Sequence, residues 1–450
     1  MQEDLRSLVS DIVERARRYG ADQADAYVHS GIESSVTVRK QETERLFEAA
    51  SRSVSIRVIK QKRTAVCNTS DLTPKALDEM VRTAVELASI SEPDEYAGLP
   101  AKEDLALDEG VGLQLYDERL ESLTVDDMRD IVLRAEQAAF DFDPRITNSE
   151  GAEFGAERGE VVLANTLGFC RGFPYTAASF AVSVLADEPD GKKQSDSWFS
   201  MDRAFHRLLS PEEVGRRAAS RVLRKLGGRK VATREVPVVW EPTVAVRLLS
   251  LVGGAVSGEA LFKRSTFLTD REGERIGSPL VTITDDPTLP GRLGTRPFDG
   301  EGVARRVNPL FEGGVFRQFL FDSYYARRLG RRTTGSAARS GDTIGIGTSN
   351  LVWQAGEANP DDLIASVDDG LYLTELMGFG FNPTTGDLSK GAAGVWIEHG
   401  QLAYPVVEIN VSGNLGQMLA DIDGAGNDLQ WLGAAAAPTL RMAKLMVSGL

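Results

Sequence analysis

Four carboxylates in a short span, Asp285, Asp286, Asp299 and Glu301, are the side chains best spaced for acid–base chemistry. Two acids facing one cleft can divide the proton-donating and proton-accepting roles. The plainer reading is preferred: Asp285-Asp286-Pro287 caps a turn, and Asp299-Gly300-Glu301-Gly302 shapes a loop. Metal chemistry has less to build on. His29, His206 and His399 are the only histidines and lie far apart, whereas zinc draws three or four ligands from His, Cys and carboxylates at close spacing. A His-free carboxylate site for calcium or magnesium stays open, but no EF-hand loop is present. Gly345-Ile346-Gly347 and Gly378-Phe379-Gly380 lack the third glycine of a dinucleotide-binding loop and read as turns or bulges. There is no phosphate-binding G-x-x-x-x-G-K-[ST], and no G-x-S-x-G to present a nucleophilic serine.

The elements that must position these residues belong to a chain of 450 residues, long enough for two or three domains. Hydrophobic residues make up 42% and charged residues 26%, an ordinary globular balance. A formal net charge of -15 opposes a phosphate backbone and argues against general nucleic-acid affinity. Arg327, Arg328, Arg331 and Arg332 form a local basic run, read as a solvated helix end. Two distant cysteines, Cys67 and Cys170, argue against a disulfide framework and for a reducing compartment. The start, Met1-Gln2-Glu3-Asp4-Leu5, shows no secretory signal, and no apolar run is long enough to span a bilayer. A cytoplasmic location is expected.

Leu5, Leu8, Val9, Ile12, Val13 and Ala16 follow helical spacing, with Gly20 as the stop. Ala24 to Val38 reads as extended with a turn near Gly31, and Val54, Ile56 and Val58 alternate as in a half-buried antiparallel strand. Thr73-Pro74 opens a second helix. Ser91 to Gly112 reads as a linker or long loop. Thr124 and Asp127 form a capping box ahead of another helix. Extended segments are expected at Ile146 to Ala156, Val161 to Cys170, Tyr175 to Ala186 and Ser197 to Phe205, with Asp190-Gly191 as a turn. Ser210-Pro211-Glu212-Glu213 starts a helix that closes near Gly227-Gly228. Helix, strands and helix thus occur twice, which suggests a duplicated unit. The expected class is α+β: residues 1–112 and 113–230 carry helices on antiparallel strands, and 231–450 form a β-rich domain. The apolar run Thr243 to Val256 is its buried helix.

Several carboxy-terminal pieces carry a resemblance. They are Gly253-Gly254-Ala255-Val256-Ser257-Gly258, Lys263-Arg264-Ser265-Thr266-Phe267-Leu268, Asp299-Gly300-Glu301-Gly302 and Glu312-Gly313-Gly314-Val315. Tyr324-Tyr325-Ala326-Arg327, Thr334-Gly335-Ser336-Ala337, Ser412-Gly413-Asn414-Leu415 and Pro438-Thr439-Leu440-Arg441 follow, with Gly449 at the end. In order and spacing they resemble the TldD/PmbA family, also labelled modulator of DNA gyrase, across nearly the whole chain. The match is closer to the PmbA branch, also called TldE. The resemblance implies a two-chain cytoplasmic zinc peptidase acting on unfolded peptides or trimming peptide precursors. The metal-bearing chain carries His-Glu-x-x-x-His and a distal cysteine. Here Gly253 and Gly258 take the histidine places, Gly254 takes the glutamate place, and Ala434-Ala435-Ala436-Ala437 replaces the cysteine.

The expectation is therefore a chain without metal ligands or catalytic residues of its own, inactive alone and lining a chamber for peptides. Zinc would be held only by a metal-bearing paralogue, in a heterodimer. Extended peptides bind without sequence preference by adding a strand to a sheet edge. Asp299, Glu301, Phe379, Phe381 and Asn414 are the channel candidates, with Met377 to Asn382 as an apolar lining loop or, equally, core packing. The alternative is a homodimer that binds peptides or a protein without hydrolysis. A third reading is a hydrolase using Asp285, Asp299 or Glu301.

Overall fold

A computed structural model describes residues 5–188, 191–341 and 343–449. Residues 1–4 and Asp190, on which the readings of the amino terminus and of one turn rest in part, lie outside them. Helix α1 (Leu5–Arg18) buries Leu5, Val9, Ile12, Val13 and Ala16, the stripe its spacing requires. Strands β1 (Gln23–Arg39), β2 (Glu42–Lys60) and β3 (Arg63–Thr69) follow, then α2 (Pro74–Ile90). The Thr73 hydroxyl caps α2 and Pro74 occupies its first turn. After α3 (Glu118–Glu121) comes α4 (Val125–Phe140), opened by a complete capping box between Thr124 and Asp127. Strands β4 (Ile146–Asn165), β5 (Cys170–Asp187) and β6 (Lys193–Asp202) precede α5 (Pro211–Leu223), which Ser210 caps.

All six strands form one antiparallel sheet, ordered β3-β2-β1-β4-β5-β6, so the two helix-and-strand units share a single ladder. The turn expected near Gly31 is absent. Gly31 lies mid-strand, paired with Ser51 on one side and Gly159 on the other. The two segments expected between Ile146 and Cys170 are likewise one strand as far as Asn165. Continuous pairing on both edges holds these stretches extended where local glycine and charge argue for a break.

Residues at alternate positions of β1 show how the sheet is covered. Val28 packs with α1 and α2, while Val36 and Val38 pack with α4 and α5. With a side-chain period of two, these residues share one face. The opposite face carries Val161, Leu163 and Phe173 against Leu105, Ala106 and Phe298. Ser91 to Gly112, expected as a linker or long loop, is partly a packed strap. Ala106 N–H donates to Gly302 at 2.9 Å, and Arg327 donates to the carbonyls of Tyr96, Gly98 and Leu99. Arg327 is therefore a clamp rather than a solvated helix end. Arg331 pairs with Glu272 and Arg332 with Asp104.

The carboxy-terminal half opens with β7 (Arg234–Trp240), α6 (Pro242–Ala255) and α7 (Gly258–Phe262). Then come β8 (Ile283–Asp285), β9 (Asn308–Glu312), β10 (Val315–Phe316), α8 (Ser323–Arg328), β11 (Ala337–Ser340), β12 (Thr343–Ile346), β13 (Leu351–Trp353) and α9 (Pro360–Ala365). The half ends with β14 (Asp369–Met377), β15 (Asp387–Glu398), β16 (Gln401–Asn414), α10 (Leu415–Ala420), β17 (Ile422–Ala425), β18 (Gln430–Leu432), β19 (Ala435–Ala437) and β20 (Leu440–Ser448). Because β16 also pairs with β20, strands β7, β14, β15, β16 and β20 close into a barrel. A second sheet runs β10-β9-β8-β13-β19-β18. Between the two lies α6, apolar nearly all round as a helix packed on several sides must be, with Leu248, Leu249 and Val252 fully buried. The α+β class and the β-rich carboxy-terminal half with its buried helix agree with the sequence reading.

Candidate functional site

Gly253 and Gly254 sit in the last turn of α6, and Gly258 opens α7. A Cβ at Gly258 would lie 2.3 Å from Phe321 Cδ1 and 2.9 Å from Leu320 O, far inside contact distance. At Gly253 it would meet Leu351 Cδ2 at 2.9 Å, whereas at Gly254 it would meet open space. Leu351 pairs with Ala435 of β19, so the alanine run lies on the strand beside Gly253. Of the four positions named by the resemblance, Gly253 and the alanine run are thus neighbours, Gly254 faces solvent and Gly258 faces Phe321, and none offers a metal donor. The ring of Phe321 fills the place where a side chain at 258 would stand. Zinc needs several N, S or O donors around one point. Among the described residues no three His, Cys, Asp or Glu side chains are grouped to hold an ion, so the residues present do not fit a metal.

The candidate acids serve the fold. Asp299 accepts N–H bonds from Glu301, Val303 and Ala337 at 2.9–3.0 Å. Asp285 accepts from the Ser349 amide and hydroxyl. Glu301 accepts from Arg57 Nη1 at 3.0 Å and from the Ser323 amide at 2.9 Å. Arg57 in turn binds Asp25, whose other oxygen takes Arg339 at 2.6 Å. Burial pushes the Asp25 carboxyl up, but the charges of Arg339 and Arg57 outweigh it and leave it below the usual range. Asp299 has no such partner. Burial and the neighbouring Glu301 push it up to about 7, and the same two causes raise Asp322 to about 7. Burial also raises Asp285. A general acid needs an oxygen free to face substrate, and both oxygens of Asp299 and of Glu301 accept backbone or guanidinium donors.

The remaining channel candidates lie elsewhere. Phe379 is fully exposed at the tip of the β14–β15 connection, while Phe381 is partly buried and packs against the carboxy-terminal core. Asn414 caps α10 and donates to Thr385 O at 2.8 Å and Asp387 Oδ1 at 2.9 Å. These three form one neighbourhood through Asp387 and the Phe381–Leu388 bridge, and Asp299 and Glu301 form another with Arg57. Of the histidines, His29 bonds to the Tyr175 hydroxyl at 2.6 Å and exposed His399 pairs with Asp368 at 2.9 Å.

One feature has no signal in the sequence: two sheet edges facing each other. Strand β6 ends the amino-terminal sheet, β18 ends the second carboxy-terminal sheet, and both line a groove of about 640 Å³. Arg292 stacks over the Trp431 ring at 4.2 Å and reaches Asp202 at 3.7 Å across it. Phe199 and Met201 are partly exposed. A second space of about 390 Å³ shares Trp198, Phe199 and Leu432 and extends along α6 past Thr243, Val246 and Ser250. The lining is mixed in charge and polarity, and each edge strand carries backbone groups available for a further strand.

Comparison with known proteins agrees with this architecture. Family models described as PmbA/TldA metallopeptidase domain 1, central domain and C-terminal domain match residues 24–88, 118–226 and 233–449. The chain is 34% identical over 429 residues to metalloprotease PmbA of Escherichia coli O157:H7, covering 95% of this chain and 93% of that protein. It is 33% identical over 450 residues to a metalloprotease PmbA homolog of Haemophilus influenzae, covering 100% and 97%. A solved structure from Bacteroides thetaiotaomicron that carries the name modulator of DNA gyrase superposes with a TM-score of 0.93 at 28% identity, covering 100% of both chains. TldE from Thermococcus kodakarensis shares the fold, with a TM-score of 0.88 at 22% identity over 98% of this chain and 100% of that one. This chain belongs to the PmbA/TldD family.

Proposed function

We propose that this chain is the non-catalytic subunit of a TldD/TldE-type zinc metallopeptidase of the cytoplasm. It works beside a metal-bearing paralogue that degrades unfolded peptides or trims peptide precursors. The observation that carries the reading is the filled ligand position, with Phe321 2.3 Å from where a side chain at Gly258 would begin. A chain in this family without donors on α6 contributes by holding substrate. The groove between β6 and β18 suits that task, because an extended chain can pair with a sheet edge whatever its side chains. Phe379, at its exposed loop tip, is the channel contact this reading retains. The outer edge of β2 supports docking of a second subunit: β3 covers only Val54–Lys60, so residues 42–53, paired with β1 on one side and carrying exposed Leu46, have no neighbouring strand on the other among the described residues.

The test mixes the purified chain with a His-Glu-x-x-x-His homologue from the same genome. Complex formation, zinc content and cleavage of an unstructured peptide are then measured. A complex that cuts faster than either chain alone supports the reading. A chain that forms only homodimers and binds peptide uncut favours the alternative of a stand-alone binder. Stoichiometric zinc and chelator-sensitive cleavage by the isolated chain would overturn both.

A further inference from the structure

A cavity of about 320 Å³ lies between the face of the amino-terminal sheet opposite its helices and the segment from Leu293 to Gly300. Its floor is apolar, built by Val161, Phe173 and Phe298. Its walls carry guanidinium groups. Arg339 is neutralised by Asp25 at 2.6 Å. Arg203 is buried and bonds only to carbonyls, those of Leu293 at 2.8 Å, Arg292 at 3.2 Å, Leu115 at 3.3 Å and Thr176 at 3.4 Å. Arg296, exposed to solvent, lines the same cavity and, among the described residues, makes no hydrogen bond or ion pair with protein. Arg305, within reach of the charges of Arg296 and Asp299, holds a buried Nε with no hydrogen-bond partner among the described residues.

The charge of Arg296 acts on both buried arginines. Burial, and after it the charge of Arg296, pulls Arg203 down to about 10 and Arg305 down to about 10. The carboxylates nearby are committed. The oxygens of Asp299 take backbone N–H groups, and Glu157, at the half-exposed rim, accepts from Tyr175. Tyr27 lines the cavity with Arg339 over its ring, and its hydroxyl, raised by burial and therefore protonated, makes no hydrogen bond among the described residues. Arg203 and Arg305 place buried positive charge near this space, only partly offset by Asp202, Glu157, Asp299 and Asp285, and an anion held at the free Arg296 guanidinium would offset it further.

We infer that this cavity binds a carboxylate ligand with a compact apolar body. The carboxylate meets Arg296 and the Tyr27 hydroxyl, and the body lies on Phe173 and Phe298. A guanidinium beside a phenol is a charge-assisted donor pair for a carboxylate, and the volume lies at the small end of ligand pockets. Two sources share this chemistry: a free aryl or alkyl acid, and the terminal carboxylate of a peptide ending in an apolar residue. The inference stands apart from the proposed subunit role, because the cavity shares no residue with the vestigial metal positions or the β6–β18 groove.

The experiment is calorimetric titration of the whole chain with 3-phenylpropionate, with 3-phenylpropionamide, and with acetyl-Ala-Phe as free acid and as amide. Saturable binding of an acid at least tenfold tighter than that of its amide is expected, and competition between the two acids identifies the source. Arg296→Gln should weaken the acid at least tenfold while leaving the ligand-free melting temperature unchanged or raised, because a repelling charge is removed. Equal binding of acid and amide, no saturable binding of either acid, or full affinity in Arg296→Gln would each overturn the inference.

Discussion

Arg57 and Glu301 bond across the seam between the amino-terminal sheet and the carboxy-terminal half, with Nη1 3.0 Å from Oε1 and both side chains buried. Arg57 also holds Asp25 through Nη2 at 2.5 Å. Breaking a buried ion pair from one side leaves an uncompensated charge and costs about 3–5 kcal/mol. Arg57→Met should destabilise the chain by that order in urea unfolding. A loss below about 1 kcal/mol would mean the cluster is more hydrated than its burial indicates.

The opposite behaviour is expected from Asp322, which caps α8. Its ordinary value is 3.8, and in the folded chain burial and Glu301 raise it to about 7. Between those limits the folded chain keeps a proton that the unfolded chain releases. Stability therefore falls as pH rises through this window and levels off above it. Asp299, raised to about 7, adds a second contribution of the same sign. Asp322→Asn keeps a capping side chain and should flatten the decline between about pH 4 and pH 7. An unchanged slope in denaturant titrations would count against the assignment.

Two glycines four positions apart should respond in opposite directions. Gly258→Ala places a methyl against Phe321 and Leu320 and should cost about 1–3 kcal/mol. Gly254→Ala meets open space at an exposed helical position and should stabilise by up to about 1 kcal/mol. Thermal melts of the two variants decide the matter. Gly258→His should gain no zinc by metal analysis while Phe321 stays in place.

Arg327→Ala removes the clamp on the strap at Tyr96, Gly98 and Leu99. Loss of charged hydrogen bonds to part-buried carbonyls should cost about 1.5–3 kcal/mol. Limited proteolysis should then cut first between residues 91 and 112. Cleavage at another site, with the strap intact, would refute the clamp.

If the groove between β6 and β18 takes peptide, Trp431→Ala should lower peptide binding about fivefold, the scale of a lost aromatic contact. The melting temperature should barely move, because Trp431 is only partly buried. A complex with the metal-bearing paralogue that cleaves as well with the variant as without it would remove the groove from the substrate path.

Local chemistry was legible in the sequence. Thr73 with Pro74, Thr124 with Asp127, and Ser210 with Pro211 each open the helix expected of them, because a cap is settled within a few residues. The buried run of α6 was legible for the same reason. The unbroken passage of β1 through Gly31 was not, since it depends on partners at Ser51 and Gly159. Nor was the cavity, whose walls come from Tyr27, Tyr175, Arg203, Arg296 and Arg339 on separate elements. The glycines at 253, 254 and 258 were legible in α6 and its flank. That Phe321 stands in the gap is a fact of packing alone.

The shared ladder limits how this protein can be divided. Strand β1 is matched to β4 from Asp25–Asn165 to Val38–Ala152. A fragment ending at residue 112 would carry that whole length of β1 as a naked edge, ready to zip onto any extended chain it met. Nascent chains pass through that state during synthesis, before β4 emerges. The interval is a window for mispairing that the finished protein no longer has.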